Sequence, residues 1–284
     1  MDSLPQDDVR AAIRAALAED LRSGDATTNA IIPATATATA AMVARQPLTV
    51  AGLDFAEAAF QELAGTTSSF QRLVPDGQPV EANARLARIT GPARALLSAE
   101  RVALNFVQRL SGIATLTAQF VEAIQGTNGS VLDTRKTTPG WRQFEKYAVR
   151  CGGGQNHRLG LDDLILIKDN HLQALAGSTP NAIAAAVQLA RQAHPHLRVE
   201  VEVDTLDQLA QAVAAGADIL LLDNMSLENL RAAVRTVAGR AKTEASGGVR
   251  LSNVRAIAES GVDFISVGAL THSAPAVDIA LDFE

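Results

Sequence analysis

Short apolar runs alternate with segments of helical spacing from residue 130 to the end of the chain. The last four runs begin about 20 residues apart, a natural length for one strand and one helix in a parallel α/β fold. Six runs rather than eight predict an incomplete parallel α/β barrel, or else a barrel with further strands that the pattern does not reveal. The runs are Val131-Leu132, Leu164 to Ile167, Val199 to Val203, Ile219 to Leu222, Thr243 to Ala245, and Phe264 to Val267.

A doubly wound parallel sheet is the competing architecture for this pattern. Such a sheet is expected to carry GxGxxG after its first strand and ligand groups at one switch point. This chain lacks that motif, and polar residues follow every run. Because the carboxyl ends of barrel strands form one rim where active sites lie, the pattern favours the barrel. The polar groups are Asp133 with Arg135 and Lys136, then Lys168, Glu202 with Asp204, Asp223, Glu244 with Ser246, and Ser266 with Gly268.

The first hundred residues have α+β character. Val9 to Leu21 and Gly52 to Leu63 have the apolar spacing of helices. The Ala/Thr alternation from Ala34 to Ala41 predicts a strand, and turn signals with short strands occupy Leu73 to Thr90.

Capping residues predict where several helices begin and end. A long helix is expected to start at an N-cap near Ser98 and to break at Gly112. Thr205 to Gln208 fits a capping box, and Ser252 and Gly261 bracket another helix.

Composition and charge exclude several classes of protein. With 47% hydrophobic and 20% charged residues, the chain is expected to be soluble and globular. Its apolar runs are shorter than the roughly 18 residues of a transmembrane helix, and its N-terminus lacks a signal-peptide core. The single cysteine, Cys151, fits a reducing cytoplasm. A net charge of -6 and few aromatic residues argue against a nucleic-acid partner.

A basic cluster lies within this acidic chain. The stretch from Arg135 to Arg158 contains six arginines and lysines and one acidic residue, Glu145. Arginine binds carboxylates through two parallel hydrogen bonds, and lysine offers phosphates a point charge. With the strand-end Lys168, the cluster therefore predicts a local anion site. The alternative is that these cations are exposed and paired with Asp162, Asp163 and Asp169.

His157 follows the glycine-rich segment of this cluster directly. It is equally consistent with a donor to a bound anion and with a local hydrogen-bonding residue of a turn. His171 is expected to be structural.

Carboxylates and glycines follow the later runs. Glu202 and Asp223 end neighbouring strands and suggest a magnesium ion or sugar hydroxyls as ligands, although neutralisation of nearby cations explains them equally well. Ser246-Gly247-Gly248 and Gly268 suggest a phosphate cradle of backbone N–H groups, with ordinary turns as the alternative. The residues thus predict a barrel enzyme for a ligand with phosphate and carboxylate groups, with magnesium, and leave the reaction open.

Seven segments extend this interpretation across almost the whole chain. In order they are SAERVALNFVQRLSGIAT, DTRKTTPG, EKYAVRCGGGQNHR, LIKDNH, EVEVD, LLDN and SGGV. Together they resemble the quinolinate phosphoribosyltransferase family. Trp141 and Phe144 depart from the family pattern, since smaller aliphatic residues are expected there.

The resemblance implies two domains. An N-terminal α/β sandwich would span residues 1–112, an α/β-barrel catalytic domain residues 113–271, and a tail of residues 272–284 would return to the first domain. It also implies transfer of phosphoribose from phosphoribosyl pyrophosphate to quinolinate, giving nicotinate mononucleotide, carbon dioxide and pyrophosphate in de novo NAD synthesis. A cytoplasmic homodimer, or a hexamer, is expected.

The resemblance also implies roles for single residues. The carboxylates of quinolinate would be held by Arg135, His157, Arg158, Lys168 and, from the neighbouring subunit, Arg101. Phosphoribosyl pyrophosphate and its Mg²⁺ would engage the catalytic group of Lys136, Glu202 and Asp223. Backbone donors of Ser246, Gly247, Gly248 and Gly268 would bind phosphate.

Three other functions remain as alternatives. A family member recruited to another pyridine or phosphoribosyl reaction is disfavoured because the dicarboxylate-binding set is intact. A type I phosphoribosyltransferase lacks support because paired acidic residues leading into a TG-rich loop are missing. A catalytically silent ligand-binding barrel would have lost Lys136, Glu202 or Asp223, and all three are present.

Overall fold

The structure is a computed structural model that describes residues 4–284. Its helices are α1 (Gln6–Leu21), α2 (Ala26–Ile31), α3 (Leu53–Ala64), α4 (Ala93–Ala123), α5 (Arg142–Cys151), α6 (Asp169–Ala174), α7 (Ala182–Ala193), α8 (Leu206–Ala214), α9 (Leu227–Val237), α10 (Leu251–Ala258) and α11 (Ala269–His272), with a 3-10 turn at Gly65–Thr67. Its strands are β1 (Thr37–Ala44), β2 (Leu48–Thr49), β3 (Ser69–Arg72), β4 (Pro79–Val80), β5 (Arg85–Pro92), β6 (Ser130–Leu132), β7 (Ile165–Ile167), β8 (Val199–Val203), β9 (Ile219–Asp223), β10 (Lys242–Ser246), β11 (Phe264–Ser266) and β12 (Ile279–Phe283).

The first compact unit comprises residues 4–118, 138–153 and 273–284. Its antiparallel sheet has the order β12-β1-β5-β3, so β1 is a central strand. The Ala/Thr alternation does form β1, but the strand begins three residues later than predicted and ends at Ala44. The last five residues of β1 are buried, and burial of both faces favours small and apolar side chains there.

Helix α4 corrects two expectations about its ends. It begins at Ala93, and Ser98 lies inside it, where its hydroxyl is 3.0 Å from the carboxylate of Asp25. The helix also continues through Gly112 without a break. A Cβ at Gly112 would lie 2.0 Å from the carbonyl oxygen of Pro275, so this glycine permits close approach of another segment rather than ending the helix.

Four aromatic rings pack together in the first unit. Phe55 stacks on Phe106 and Phe106 on Trp141, each pair with a centroid separation of 4.7 Å. Phe144 meets Phe55 edge to face at 4.9 Å. Trp141 and Phe144, the departures from the family pattern, are therefore part of an aromatic cluster, and such pairs contribute about 0.5–1.5 kcal/mol each beyond burial.

The second unit, residues 119–137 and 154–272, contains a six-stranded parallel sheet. The strand order is β6-β11-β10-β9-β8-β7, and β6 and β7 are its two edges. All six predicted runs become strands of this sheet, with helices between most of them. The predicted fold class, an incomplete parallel α/β barrel with an N-terminal α+β domain, is thus confirmed. The predicted domain boundaries stay a prediction.

Helix capping in the second unit follows the sequence in one case and not in another. Thr205 and Gln208 form the predicted capping box of α8. Ser252 is not an N-cap, because α10 begins at Leu251 after Arg250 and the side chain of Asn253 accepts the N–H of Arg250 at 2.8 Å. Among residues 4–284, no helix has the length and hydrophobicity needed to traverse a lipid bilayer.

Candidate active site

A cavity of about 590 Å³ opens at the carboxyl edge of the parallel sheet. Parallel strands present the residues at their carboxyl ends on one edge, so the six strand ends meet here, together with the segment of His157 and Arg158. The cavity is lined by Thr134, Arg135, Lys136, His157, Arg158, Leu166, Lys168, Glu202, Leu221, Asp223, Asn224, Glu244, Ser246, Gly247, Gly248 and Ser266.

Most of the sequence-predicted site residues lie together in this cavity. They are Arg135, Lys136, His157, Arg158, Lys168, Glu202, Asp223, Ser246, Gly247 and Gly248. Gly268 lies beside them, because a Cβ there would be 3.2 Å from Cδ of Lys136. Arg101 is exposed on α4 in the first unit and is not among the residues lining the cavity.

Lys168 and Glu202 form an ion pair across neighbouring strands. Nζ of Lys168 is 2.7 Å from Oε2 of Glu202, and the lysine side chain is 46% exposed while the glutamate is 16% exposed. Lys168 directly precedes α6, and its backbone N–H donates to Nδ1 of His171 at 2.9 Å. His171 thus has the structural role expected of it, since it fixes the backbone from which Lys168 extends.

The loop after β10 packs tightly against the end of β9. The N–H of Asn224 donates to the carbonyl of Ser246 at 2.9 Å, and Nδ2 of Asn224 donates to Asp223 at 2.6 Å. Gly247 has a φ of +93°, and a Cβ there would lie 2.1 Å from the Asn224 side chain. Gly247 is therefore required both by its backbone conformation and by the close approach of Asn224.

Asp133 organises the segment that carries His157. Its carboxylate is buried at the end of β6 and accepts the N–H of His157 at 2.9 Å. It also accepts Nδ2 of Asn156 at 2.5 Å. A carboxylate held by such donors is a rigid anchor, so the position of His157 is set from the first strand of the sheet.

Both ring nitrogens of His157 face groups of the protein. Nδ1 accepts the backbone N–H of Arg158 at 2.7 Å, which places the imidazole proton on Nε2. Nε2 lies 3.1 Å from Oε2 of Glu200 and 3.5 Å from Oε1 of Glu244. These are ion-pair distances without hydrogen-bond alignment, because within residues 4–284 neither oxygen has a hydrogen-bonded partner. The local hydrogen-bonding role considered for His157 is present, and donation to an anion stays a prediction.

Two groups around the cavity have shifted pKa values. Burial lowers the pKa of Arg158, and the Arg135 cation lowers it further, although Glu200 and Asp163 act in the opposite direction. Burial raises the pKa of Glu244 to about 7, and the negative charge of Glu200 adds to the shift. The lowered pKa of Arg158 reflects burial first and the nearby Arg135 cation second, and a bound anion would oppose both effects.

The carboxylates at the rim fit a hard divalent cation. Glu202 and Asp223 both line the cavity and supply oxygen ligands, and Asp223 lies beside Ser246 in the sheet register. Magnesium is commonly held by one or two carboxylates together with water and substrate phosphates. A two-carboxylate rim next to a glycine-rich loop is therefore compatible with a magnesium–phosphate ligand.

Sequence reasoning did not select several residues that line the cavity. Thr134, Asn224, Leu166 and Leu221 are of this kind. Glu244 and Ser266 were named only among the polar groups that follow the runs and were given no role. Glu244 lies deeper than the others, with a side chain 1% exposed. A charged residue between buried neighbours in a strand is the signal that identifies it, because an isolated buried carboxylate is costly.

Comparisons with known proteins agree with this geometry. Residues 25–111 match the family model described as quinolinate phosphoribosyl transferase, N-terminal domain, and residues 113–282 match the corresponding C-terminal domain. The nicotinate-nucleotide pyrophosphorylase [carboxylating] of Mycobacterium leprae is 46% identical over 282 residues, covering 97% of both chains. A probable enzyme of the same name from Bacillus subtilis is 43% identical, covering 93% of this chain and 89% of its own.

A solved structure extends the likeness to the whole backbone. The nicotinate-nucleotide pyrophosphorylase of Francisella tularensis superposes with a TM-score of 0.93 at 43% identity, covering 99% of this chain and 98% of that chain. Both family models and relatives well above 30% identity cover the chain. The chain therefore belongs to the quinolinate phosphoribosyltransferase family.

Proposed function

We propose that this protein transfers phosphoribose from phosphoribosyl pyrophosphate to quinolinate and releases carbon dioxide and pyrophosphate. The product, nicotinate mononucleotide, is a precursor in NAD biosynthesis. The observation that carries the proposal is the meeting of four cations, two carboxylates and a glycine-rich loop in one cavity of about 590 Å³. Family membership supplies the reaction to which that set of groups corresponds.

The cationic wall of the cavity fits the two carboxylates of quinolinate. Arg135 and Arg158 are half-buried, and the pKa of Arg158 is lowered by burial and, secondly, by repulsion from the Arg135 cation. Bidentate pairing with a planar carboxylate satisfies two donors at once and offsets that repulsion. Lys168 would also bind a quinolinate carboxylate, and part of its present interaction with Glu202 would be replaced by that contact.

The opposite wall fits phosphoribosyl pyrophosphate. Backbone donors at Ser246, Gly247 and Gly248 would bind a phosphate group, with Gly268 keeping room beside Lys136. Magnesium held by Glu202 and Asp223, as a bound cofactor, would neutralise charge that develops on pyrophosphate. Lys136 is exposed at the rim, where its ammonium would act on the same leaving group.

The residues then act through charge and position. Breaking the bond between C1 of the ribose and pyrophosphate leaves an oxocarbenium-like centre, which the carboxylates of Glu202 and Asp223 would stabilise. The bond formed to the pyridine nitrogen makes that nitrogen cationic. Loss of the adjacent carboxylate then leaves an electron pair on carbon next to the positive nitrogen. Holding both substrates in line supplies much of the acceleration, and no covalent enzyme intermediate is required.

An oligomer is part of the proposal. Arg101 is exposed on α4, and a dimer in which it reaches a neighbouring chain's cavity would add a further cation to the quinolinate site. A homodimer, or a hexamer, and a cytoplasmic location remain predictions from the sequence.

The assay is direct. The purified protein with quinolinate, phosphoribosyl pyrophosphate and Mg²⁺ should release carbon dioxide and form nicotinate mononucleotide, measured by trapping labelled carbon dioxide and by chromatography. Nicotinate in place of quinolinate is the control substrate, because it lacks the second carboxylate. A folded preparation that forms no mononucleotide from either pyridine contradicts the assignment. Equal turnover of both pyridines contradicts the dicarboxylate site.

A further inference from the structure

The proposed reaction has a step for which the rim offers no obvious group. When the carboxylate leaves, its electron pair stays on the ring carbon, and a proton must be added there before nicotinate mononucleotide is complete. The atoms balance with one proton taken up per turnover. The inference below rests on the proposed function and concerns the source of that proton.

Glu244 lies at the bottom of the cavity, below the rim residues. It belongs to β10, two residues before Ser246, so its side chain points to the same face one layer deeper. It lines the cavity, yet only 1% of its side chain is exposed. Within residues 4–284, its Oε1 has no hydrogen-bonded partner, although Nε2 of His157 lies 3.5 Å away.

A second cavity shares part of its lining with the first. It has a volume of about 220 Å³, and its lining includes residues at or next to the amino ends of strands, namely Ile219, Phe264 and Arg198. His157, Arg158 and Glu244 line both cavities. Arginine keeps its proton, so His157 and Glu244 are the shared residues that could exchange a proton between the two cavities.

The surroundings of Glu244 favour its protonated form. Burial away from water raises its pKa to about 7, and the carboxylate of Glu200 contributes in the same direction while His157 opposes it. A protonated carboxyl group at a buried strand position is a suitable general acid near neutral pH. The rim carboxylate Glu202 differs in that it is already paired with Lys168.

We propose that Glu244 is the catalytic acid that protonates the ring carbon after decarboxylation, and that His157 and the second cavity return a proton to it. In this step the bond from ring carbon to carboxylate breaks, carbon dioxide leaves, and the electron pair stays on carbon. That pair takes the proton from the carboxyl oxygen of Glu244, forming the C–H bond. The carboxylate left behind is reprotonated from water through the second cavity.

Single-turnover kinetics of Glu244→Gln test the proposal, because the amide has nearly the same shape and no acidic proton. With enzyme in excess over both substrates, pyrophosphate release should stay within about threefold of wild type. Formation of nicotinate mononucleotide should slow by about 100-fold, in the range usual for loss of an acid catalyst. The mononucleotide that still carries both carboxylates should accumulate.

The source of the proton gives a second readout that a structural role would not change. In equal parts of H₂O and D₂O, the deuterium content at the new C–H position depends on the donor. It should differ between wild type and Glu244→Gln. Glu244→Asp keeps an acidic proton and should therefore retain the wild-type deuterium content. If the glutamine variant does not fold, the aspartate variant provides the measurement in its place.

Glu200→Gln is the matched control. Glu200 is equally buried and lies 3.1 Å from His157, but it is not among the residues lining the larger cavity. At about pH 6, this variant should form nicotinate mononucleotide within about tenfold of wild type.

Three outcomes overturn the proposal. One is that both steps slow equally in Glu244→Gln, and another is that neither step slows. The third is an unchanged deuterium content in that variant. A wild-type protein that releases no pyrophosphate contradicts the proposed function itself, so the two failures are distinguishable.

Discussion

Two glutamates in one strand show how position alone separates chemical roles. Glu200 and Glu202 lie two residues apart in β8 and share a face of the sheet. Glu202 reaches the rim and pairs with Lys168, while Glu200 is fully buried against His157. Two residues along the strand therefore separate Glu202, which can reach a ligand in the cavity, from Glu200, which belongs to a buried charge cluster.

Asp223 provides a test of the roles assigned at the rim. Asp223→Ala should weaken binding of magnesium and phosphoribosyl pyrophosphate by about tenfold or more, because it removes a carboxylate beside the glycine-rich loop. Quinolinate affinity should change by less than about threefold. Titration calorimetry with each substrate separately measures both values.

Asp204→Ala is the control for that experiment, since Asp204 is exposed just beyond β8 and does not line the cavity. It should leave both affinities unchanged. Equal losses for the two substrates in Asp223→Ala would argue against its assignment to the phosphoribosyl donor.

At the level of single residues, the sequence predicted the residues at the mouth of the cavity but not the role of the buried Glu244 below them. Rim residues such as Lys168 and Asp223 follow apolar runs, and that position is visible in the sequence. The pairing of His157 with Glu200 and Glu244 joins three separate segments, and only the sheet order brings them together. No local pattern contains that information.

Among the elements, the loop between β10 and α10 is the most constrained by geometry. Gly247 and Gly248 both have positive φ values, of +93° and +59°. They differ in the room available for a side chain. A Cβ at Gly247 would collide with Asn224, whereas a Cβ at Gly248 would meet no atom within 4 Å. Two adjacent glycines thus allow backbone strain and steric overlap to be separated.

The matched pair Gly247→Ala and Gly248→Ala makes that separation measurable. Gly248→Ala should cost about 1 kcal/mol of unfolding free energy, the usual penalty for a left-handed alanine. Gly247→Ala should cost roughly 3 kcal/mol, because overlap with Asn224 is added to the strain. Urea unfolding followed by circular dichroism gives both values, and equal costs would show that Asn224 moves away freely.

Element types were easier to predict than element ends. Periodicity predicts the six parallel strands. It does not predict where α4 begins or that this helix continues through Gly112. Ser98 is engaged by Asp25, and Gly112 accommodates the backbone of Pro275, which is far away in the sequence. Both corrections arise because tertiary contacts override local capping signals.

For the molecule as a whole, the sequence predicts that Arg101 of a second chain completes the quinolinate site. The prediction is that a mixture of two inactive variants regains activity. In a dimer of Arg101→Ala with Asp223→Ala, one cavity would have its own Asp223 and the partner chain's intact arginine. Random reassociation should restore about a quarter of the wild-type activity, because half the dimers are mixed and each has one complete cavity.

Activity is measured after the two proteins are mixed, mildly denatured and refolded together. Each variant refolded alone is the control and should stay inactive. If the mixture also remains inactive while a wild-type sample recovers, Arg101 does not act across a subunit boundary. If Arg101→Ala alone is fully active, it does not contribute to the site.

The position of β12 has a consequence for synthesis of the chain. Residues Ile279–Phe283 pair with β1, whose residues are made more than two hundred positions earlier. While the ribosome is still translating the parallel sheet, β1 has one edge without its native neighbour. An unpaired central strand invites association with other nascent chains. Safe assembly of the first unit therefore depends on residues that emerge from the ribosome after all six strands of the parallel sheet.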